Sequence, residues 1–329
     1  MNIRPATASD IPAIITLLKE SLGESMIPKS EHLWNWKHNE NPFGPSYVLV
    51  AEENDVLIGV RAFMQWQWAG LGKTYNTVRA VDTATHPAHQ GRGIFKQLTL
   101  AQLDLCKTAG THFVFNTPNE KSRPGYLKMG WQTQGKMPMK LCVRRPFSFF
   151  WNRLTNKVKY KNISTDPTPK ADWRNVTELL SSLSLHSDKL HSAYNSAYIE
   201  WRYANNPLFN YTYFTDNNTY ILVGRVKYQS FIKELRLTDF FLLNDTDKKN
   251  TRRHIKQSLR KFCKAHSIDF ISMSGNQYLH YKDLLPLGLI PVRRLGPIVT
   301  IKDINVTNEM PALLNSDNWE YSLGDMELF

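Results

Sequence analysis

Two stretches of this chain repeat one another 165 residues apart. Trp36-Lys37 is followed after three residues by Asn41-Pro42, and Trp201-Arg202 after three residues by Asn206-Pro207. In both places a helical stretch comes before and a strand pair comes after. A second correspondence lies further on. Residues 111–131 and 268–289 each read as strand, polar loop, short helix and glycine, and each follows an amphipathic helix, at 93–109 and 251–265. Self-similarity over this distance means one structural unit built twice. The 329 residues therefore divide into two domains, in line with a soft prior of roughly 150 residues each.

The first half gives the element order. Residues 3–6 read as a strand. A helix capped at Ser9 or Asp10 follows, with Ile11, Ile14, Ile15 and Leu18 on one face at helical spacing. Residues 47–52 and 56–68 alternate as strands around the turn Glu53-Asn54-Asp55. The strand at 76–85 stops at His86-Pro87, and a Gly-containing loop leads into a helix ending near Gly110. A strand at 112–116, a short helix around 123–128, a cap at Gly130 and further strands to Val143 complete the unit. This order predicts an α+β sandwich, a mostly antiparallel sheet flanked by helices, and not a doubly wound parallel fold.

Composition narrows the setting. Apolar residues make up 42% and charged residues 21%, enough apolar material for a real core and against disorder. No stretch approaches the ~18–20 apolar residues of a membrane span, so no integral membrane association is expected. The N-terminus has no apolar leader core. Cys106, Cys142 and Cys263 are isolated, which excludes a disulfide framework or cysteine zinc site and suits a reducing, cytoplasmic address. The net charge of +12 is shared by both halves, with 17 basic and 11 acidic residues in 1–150, and it suits an anionic partner. Residues 144–161 hold six basic and no acidic residues among aromatics, and a Ser/Thr/Pro stretch follows. The expected division is 1–145, a basic and aromatic linker at 146–165, and 166–329.

The loop after the fourth strand carries the chemistry. Gln90-Gly91-Arg92-Gly93-Ile94-Phe95 lies between a strand and a helix. Glycines let backbone approach an anion, and N–H groups at a helix N-terminus bind phosphate oxygens. Gln90-x-x-Gly93 fits the [R/Q]-x-x-G-x-[G/A] pattern, and the first half resembles the GCN5-related N-acetyltransferases (GNAT). Phe95 departs from that pattern, standing where a small residue is usual.

The resemblance implies tandem GNAT-like sandwich domains, the second degenerate. It also implies an acyl-coenzyme A donor held by Thr83, Ala84, Thr85, Gln90, Gly91, Arg92, Gly93, Ile94, Phe95, Asn116, Asn119 and Ser122, with no metal. Tyr126, placed before Gly130-Trp131, matches the tyrosine that protonates the departing thiolate; its alternative role is packing. Asn119 and Ser122 alternatively cap the helix. The implied reaction is direct attack of a primary amine on acetyl-coenzyme A in one ternary complex. Asp82 is the first candidate for the base and His86 the second, against a solvated Asp82 and a His86 that only shapes its turn. An amino sugar or nucleotide-sugar is the expected acceptor class.

The second half lacks the loop. Residues 243–251 contain two aspartates and no glycine, so that half is expected to bind no coenzyme. It is expected to line the acceptor pocket, with Glu200, Trp201, Tyr203 and residues 319–329. Its helix 251–265 belongs to a run of eight basic residues in 248–264. That is either a solvated face or a docking surface for a polyanion. The second reading connects to an alternative function, an aminoacyl-tRNA-dependent transferase of tandem GNAT fold. A non-catalytic coenzyme A-binding sensor or scaffold is a third.

Overall fold

The computed structural model describes residues 1–23, 27–147, 151, 154–155, 170–181, 187–229, 232–244, 247–285, 288, 290–292 and 295–326. The chain forms two compact units. One is Met1–Gly135 with Pro297–Asn318, and the other is Lys136–Gly296 with Trp319–Phe329.

The first unit contains β1 (Asn2–Pro5), α1 (Ile11–Leu22), α2 (Glu31–His38), β2 (Tyr47–Glu53), β3 (Val56–Gly70), β4 (Lys73–Thr85), α3 (Ile94–Thr108), β5 (Phe113–Asn116), α4 (Arg123–Lys128) and β6 (Gln132–Lys136). A strand from far along the chain, β14 (Ile298–Asp303), joins them, and the sheet order is β1-β2-β3-β4-β5-β14-β6. Two-residue turns close both hairpins: Asn54-Asp55 between β2 and β3, and Leu71-Gly72 between β3 and β4. All four residues have positive φ, the geometry whose twist matches that of paired strands. One core forms where Ile94 and Leu98 of α3 meet Leu49, Ala51 and Ile58, and another joins Phe63, Val78, Cys106, Val114, Tyr126 and Trp131.

Two irregularities in β4 shape the site. Opposite β3, the register passes from Ala62↔Val81 to Arg61↔Thr83, so Asp82 is an extra, bulged residue. A bulge re-aims the side chain that it carries. On its other side β4 runs parallel to β5, paired only at Val78↔Val114 and Arg79↔Phe115. Residues 80–85 continue past the end of that pairing.

The second unit contains β7 (Met139–Val143), α5 (Arg174–Ser181), β8 (His191–Ser192), α6 (Ser196–Ile199) running into a π-turn at Glu200–Ala204, β9 (Tyr211–Thr215), β10 (Tyr220–Gln229), β11 (Ile232–Leu242), α7 (Lys248–Ala265), β12 (Phe270–Ser274), α8 (Gln277–His280) and β13 (Ile290–Pro291). Its sheet order is β13-β7-β12-β11-β10-β9, with β11 and β12 parallel. Read from β9 to β13, the order repeats that of the first unit from β2 to β6, and β1 has no counterpart in this sheet. Even the bulge recurs: the register passes from Val223↔Asp239 to Gly224↔Leu237, which leaves Thr238 extra beside Asp239. The expected α+β architecture with two tandem GNAT-like sheets is therefore the architecture found.

The expected division at 145–165 is not where the units part. β7 follows β6 closely but pairs with β12 in the second sheet, while β14 lies between β5 and β6 in the first. The units exchange a strand, and local turn signals do not reveal such an exchange. Most of the expected linker 146–165 lies outside the described residues. Among the described residues, no helix is long and apolar enough to cross a membrane.

Candidate functional site

The glycine loop opens α3. A short 3-10 turn at Pro87–His89 is followed by Gly91 and Gly93 at φ 78° and 75°. A side chain at Gly91 would meet nothing within 4 Å, and one at Gly93 only the tip of Gln97. The glycines are therefore required by left-handed backbone and not by crowding. Gly93 is the N-cap of α3, a 15-residue helix with no acidic residue in its first turn. The leading N–H groups of such a helix have no intrahelical acceptor, and with the helix dipole they favour an anion.

The neighbouring side chains take up varied roles. Arg92, expected to face the anion, holds Glu53 through two hydrogen bonds of 2.7 and 2.9 Å and contacts His89 Nδ1 at 2.7 Å. The Arg92 hydrogen bonds keep the Glu53 carboxyl at about 2. Gln90 is exposed, Ile94 is buried, and Thr83, Ala84 and Thr85 lie on β4 beyond the β5 pairing.

Phe95 resolves the departure from the motif. Its ring turns away from the loop and meets the Tyr126 ring edge-on at 5.4 Å. A Cβ added to Gly125 would lie 3.2 Å from Phe95. The large Phe95 on α3 is thus accommodated by the absence of a side chain at Gly125 on α4.

Tyr126 is 3% exposed and also packs on Trp131 at 5.1 Å. Asn119 Oδ1 accepts hydrogen bonds from the backbone N–H of Lys121 and Ser122 at 3.0 and 2.9 Å and from Ser122 Oγ at 3.1 Å. This pair shapes the entry to α4. Asn116 Oδ1 accepts from Thr300 Oγ1 of β14, a cross-strand bond between buried partners.

Asp82 stands in a network that sequence reasoning missed. Lys37 Nζ donates to its Oδ2 at 2.7 Å, and His38 Nε2 lies 2.9 Å from the same oxygen. Burial draws His38 below the usual imidazole range, so the ring is neutral. Because a carboxylate only accepts, Nε2 carries the hydrogen, and Nδ1 accepts from Ser46 Oγ at 2.9 Å. Burial opposes charge on Asp82, but the combined pull of Lys37 and His38 outweighs it and holds the carboxyl far below its usual range. The side chain keeps 16% of its surface exposed. The signal available in the sequence was Trp36-Lys37-His38, the cationic end of the first repeated element. His86 caps its own turn, with Nδ1 accepting from Ala88 N at 3.2 Å and Nε2 3.5 Å from Glu20.

The residues expected to line an acceptor pocket lie in the second unit. Trp201, Tyr203, Trp319, Tyr321, Leu323 and Met326 are buried there, Glu200 is exposed, and residues 327–329 lie outside the described residues. Asp247 caps α7 by accepting from Asn250 N at 3.0 Å.

Comparison with known proteins accords with the glycine loop. Residues 2–134 match the family described as Acetyltransferase (GNAT) domain. A curated relative, the L-methionine sulfoximine/L-methionine sulfone acetyltransferase of Salmonella typhimurium, is 31% identical over 94 residues, 28% of this chain and 53% of that protein. The chain thus spans about half the length of this relative. Among solved structures, a probable N-acyltransferase from Enterococcus faecalis superposes with a TM-score of 0.63 at 10% identity, over 94% of this chain and 74% of the other. Saccharomyces cerevisiae N-myristoyltransferase with bound myristoyl-CoA gives 0.54 at 9% identity, over 92% and 78%. These two likenesses show the fold across both units. Residues 2–134 thus match the GNAT acetyltransferase domain, in a chain whose two sheets follow the fold of these solved acyltransferases.

Proposed function

We propose that the protein is an acyl-coenzyme A-dependent N-acyltransferase that moves an acetyl group from acetyl-coenzyme A to a primary amine by direct attack. The observation that carries this reading is the start of α3, where left-handed Gly91 and Gly93 leave the first N–H groups of an acid-free helix turn open to a pyrophosphate. Beyond Arg79 the β5-facing edge of β4, paired with β3 only on its other side among the described residues, offers backbone groups for the pantetheine arm and for the oxyanion of the tetrahedral intermediate. Tyr126, one helix away and against Phe95, gives its proton to the departing sulfur.

Asp82 serves this reaction differently from a free base. Held ionised by Lys37 and His38, it takes up a proton poorly. It attracts and orients the incoming ammonium, whose proton then leaves to water. His86 remains at the entrance to the loop as a turn-forming residue. The acceptor class is a small primary amine; an amino sugar is one candidate, and the amino-acid analogues in the curated relative's name are another.

The test is a thermal melt with increasing acetyl-coenzyme A on the parent and on Gly93→Trp. At about 100 times the dissociation constant, a native-state site adds roughly 2.7 kcal/mol. A dose-dependent rise in the parent that the variant lacks supports the assignment. A folded parent that shows no rise rejects it and directs attention to aminoacyl-tRNA.

A further inference from the structure

Arg61, near this site, has a chemistry not yet accounted for. It lies on β3 opposite Thr83, next to the Asp82 bulge. It is fully buried, and none of its Nε, Nη1 and Nη2 atoms has a hydrogen-bond partner. Its guanidinium carbon sits 4.8 Å from the Phe63 ring centre, 5.3 Å from that of Tyr126 and 5.6 Å from that of Phe95. Three aromatic faces offset part of the desolvation of a cation. They supply no acceptor for its five N–H groups.

A lone buried charge is strongly unfavourable, and apolar residues of similar volume usually replace one without loss. Among the described residues, the nearby titratable groups do not balance this one. Burial pushes the Cys106 thiol up to about 12, so it carries no charge at neutral pH. Asp82 is taken by Lys37 and His38. The missing anion must therefore arrive with a ligand. The proposed reaction creates one beside Tyr126: the coenzyme sulfur. The pyrophosphate is already placed at the start of α3.

We infer that Arg61, lying against the Tyr126 ring, is the positive charge that receives the sulfur anion when the thioester breaks, so that the site binds free coenzyme A as its thiolate. The inference rests on the acyl-coenzyme A reading. In the step itself the amine nitrogen bonds to the carbonyl carbon and the C–S bond breaks with its electron pair going to sulfur. The surplus proton on nitrogen leaves to water. While coenzyme A is bound the sulfur stays an anion beside Arg61 and the Tyr126 hydroxyl; the Tyr126 proton moves to it only as the coenzyme departs, and water returns a proton to the phenol. Arg61 acts on this sequence through Tyr126 and through charge, and is a positioning residue.

The test uses two probes, coenzyme A and desulfo-coenzyme A, which lacks only the sulfur. Calorimetric titrations in buffers of different protonation enthalpy count the protons released on binding. The parent should release close to one proton with coenzyme A and none with the desulfo compound, and should prefer the former by about tenfold or more. Arg61→Met should bind both alike and release none, while Arg61→Lys keeps part of the preference. With acetyl-coenzyme A, Arg61→Met should lower kcat by about 10- to 100-fold and leave KM within about threefold, because the charge is absent from the ground state. The methionine variant should melt no lower than the parent; if it fails to fold, Arg61→Lys carries the comparison. Proton release and preference unchanged by either variant would overturn the inference and leave the donor assignment standing. A parent that binds neither probe would overturn both.

Discussion

In both units a tryptophan-cation pair closes a helical stretch and an Asn-Pro turn leads on to the sheet, yet the cation meets different company in each. Lys37 reaches a carboxylate, Asp82, at the bulge in β4, and that carboxylate keeps some contact with solvent. Arg202 is 2% exposed and donates to the carbonyls of Gly324 and Met326 at 2.8 and 3.1 Å. It also donates to Tyr211 Oη at 3.2 Å. Asp239, beside the bulge in β11, accepts from Tyr203 and lies under Gly324 so closely that a Cβ there would clash. The same scaffold thus leaves the carboxylate at the bulge partly open to solvent in one unit and covers the equivalent carboxylate with its own chain in the other. The helix starts differ in the same sense. Gly93 leaves α3 open, whereas Asp247 caps α7 with a carboxylate.

The comparison is tested most severely by removing the cations. Arg202→Leu should cost about 3–5 kcal/mol, because it strands buried acceptors beside two buried carboxylates, and should leave coenzyme affinity within about twofold. Lys37→Met should cost only about 1–2 kcal/mol but reduce turnover at least tenfold. Urea denaturation and initial rates on both variants decide it. Equal stability losses with turnover intact would remove the functional distinction between the units.

Protons sharpen it next. Burial, reinforced by the neighbouring Asp325, raises Asp239 well above the usual carboxylate range, and burial raises Asp325 too. Tyr194 Oη stands between them, 3.1 Å from Asp325 and 3.5 Å from Asp239. Below the ordinary carboxylate pKa of about 4, native and unfolded chains both hold these protons. Above it only the native chain does, so this pair's contribution to stability declines as pH rises through the raised native values. Asp82 has the opposite sign: its contribution is present above about pH 4 and is lost as pH falls toward its depressed native value. Melting curves across pH should show Asp325→Asn flattening the decline toward alkaline pH by about 2–4 °C, and Asp82→Asn flattening the acid limb.

The smallest effect tests the likeness and not the difference. Asn41 Oδ1 accepts from Phe43 N at 3.1 Å, and its Nδ2 donates to Gln65 O at 2.7 Å. Asn206 Oδ1 accepts from Leu208 and Phe209 N, both at 3.0 Å. Asn41→Ala and Asn206→Ala should each cost about 1–2 kcal/mol by denaturation. Very unequal costs would mean that the repeated element is not equivalent in the two units.

Much of this was legible in the sequence because it is local. Ile14, Ile15 and Leu18 mark the buried face of α1, Gly91 and Gly93 the left-handed loop, and the Asn-Pro pairs the repeat. Ile255 and Leu259 of α7 are buried as their spacing predicts, with the cations on the exposed side of that helix. What escaped depends on register and on distant partners. A bulge at Asp82 leaves no compositional trace, so its alliance with Lys37 and His38 was hidden. Arg61 reads as an ordinary polar residue of a strand until its surroundings prove aromatic. Phe95 looks like a defect in the motif until Gly125 is seen to receive it.

The exchange of β7 and β14 has a consequence for how the protein is made. Asn116 and Thr300, partners across the β5–β14 ladder, are 184 residues apart. At about 5–20 residues per second, synthesis needs roughly 10–40 s to cover that distance. Throughout this interval the emerging first half has β5 without the neighbour that separates it from β6, while β7 waits for a sheet not yet translated. Unpaired edges of this kind recruit other chains, and closing so long a loop slows folding. The protein therefore completes its first sheet only after translation has passed β14.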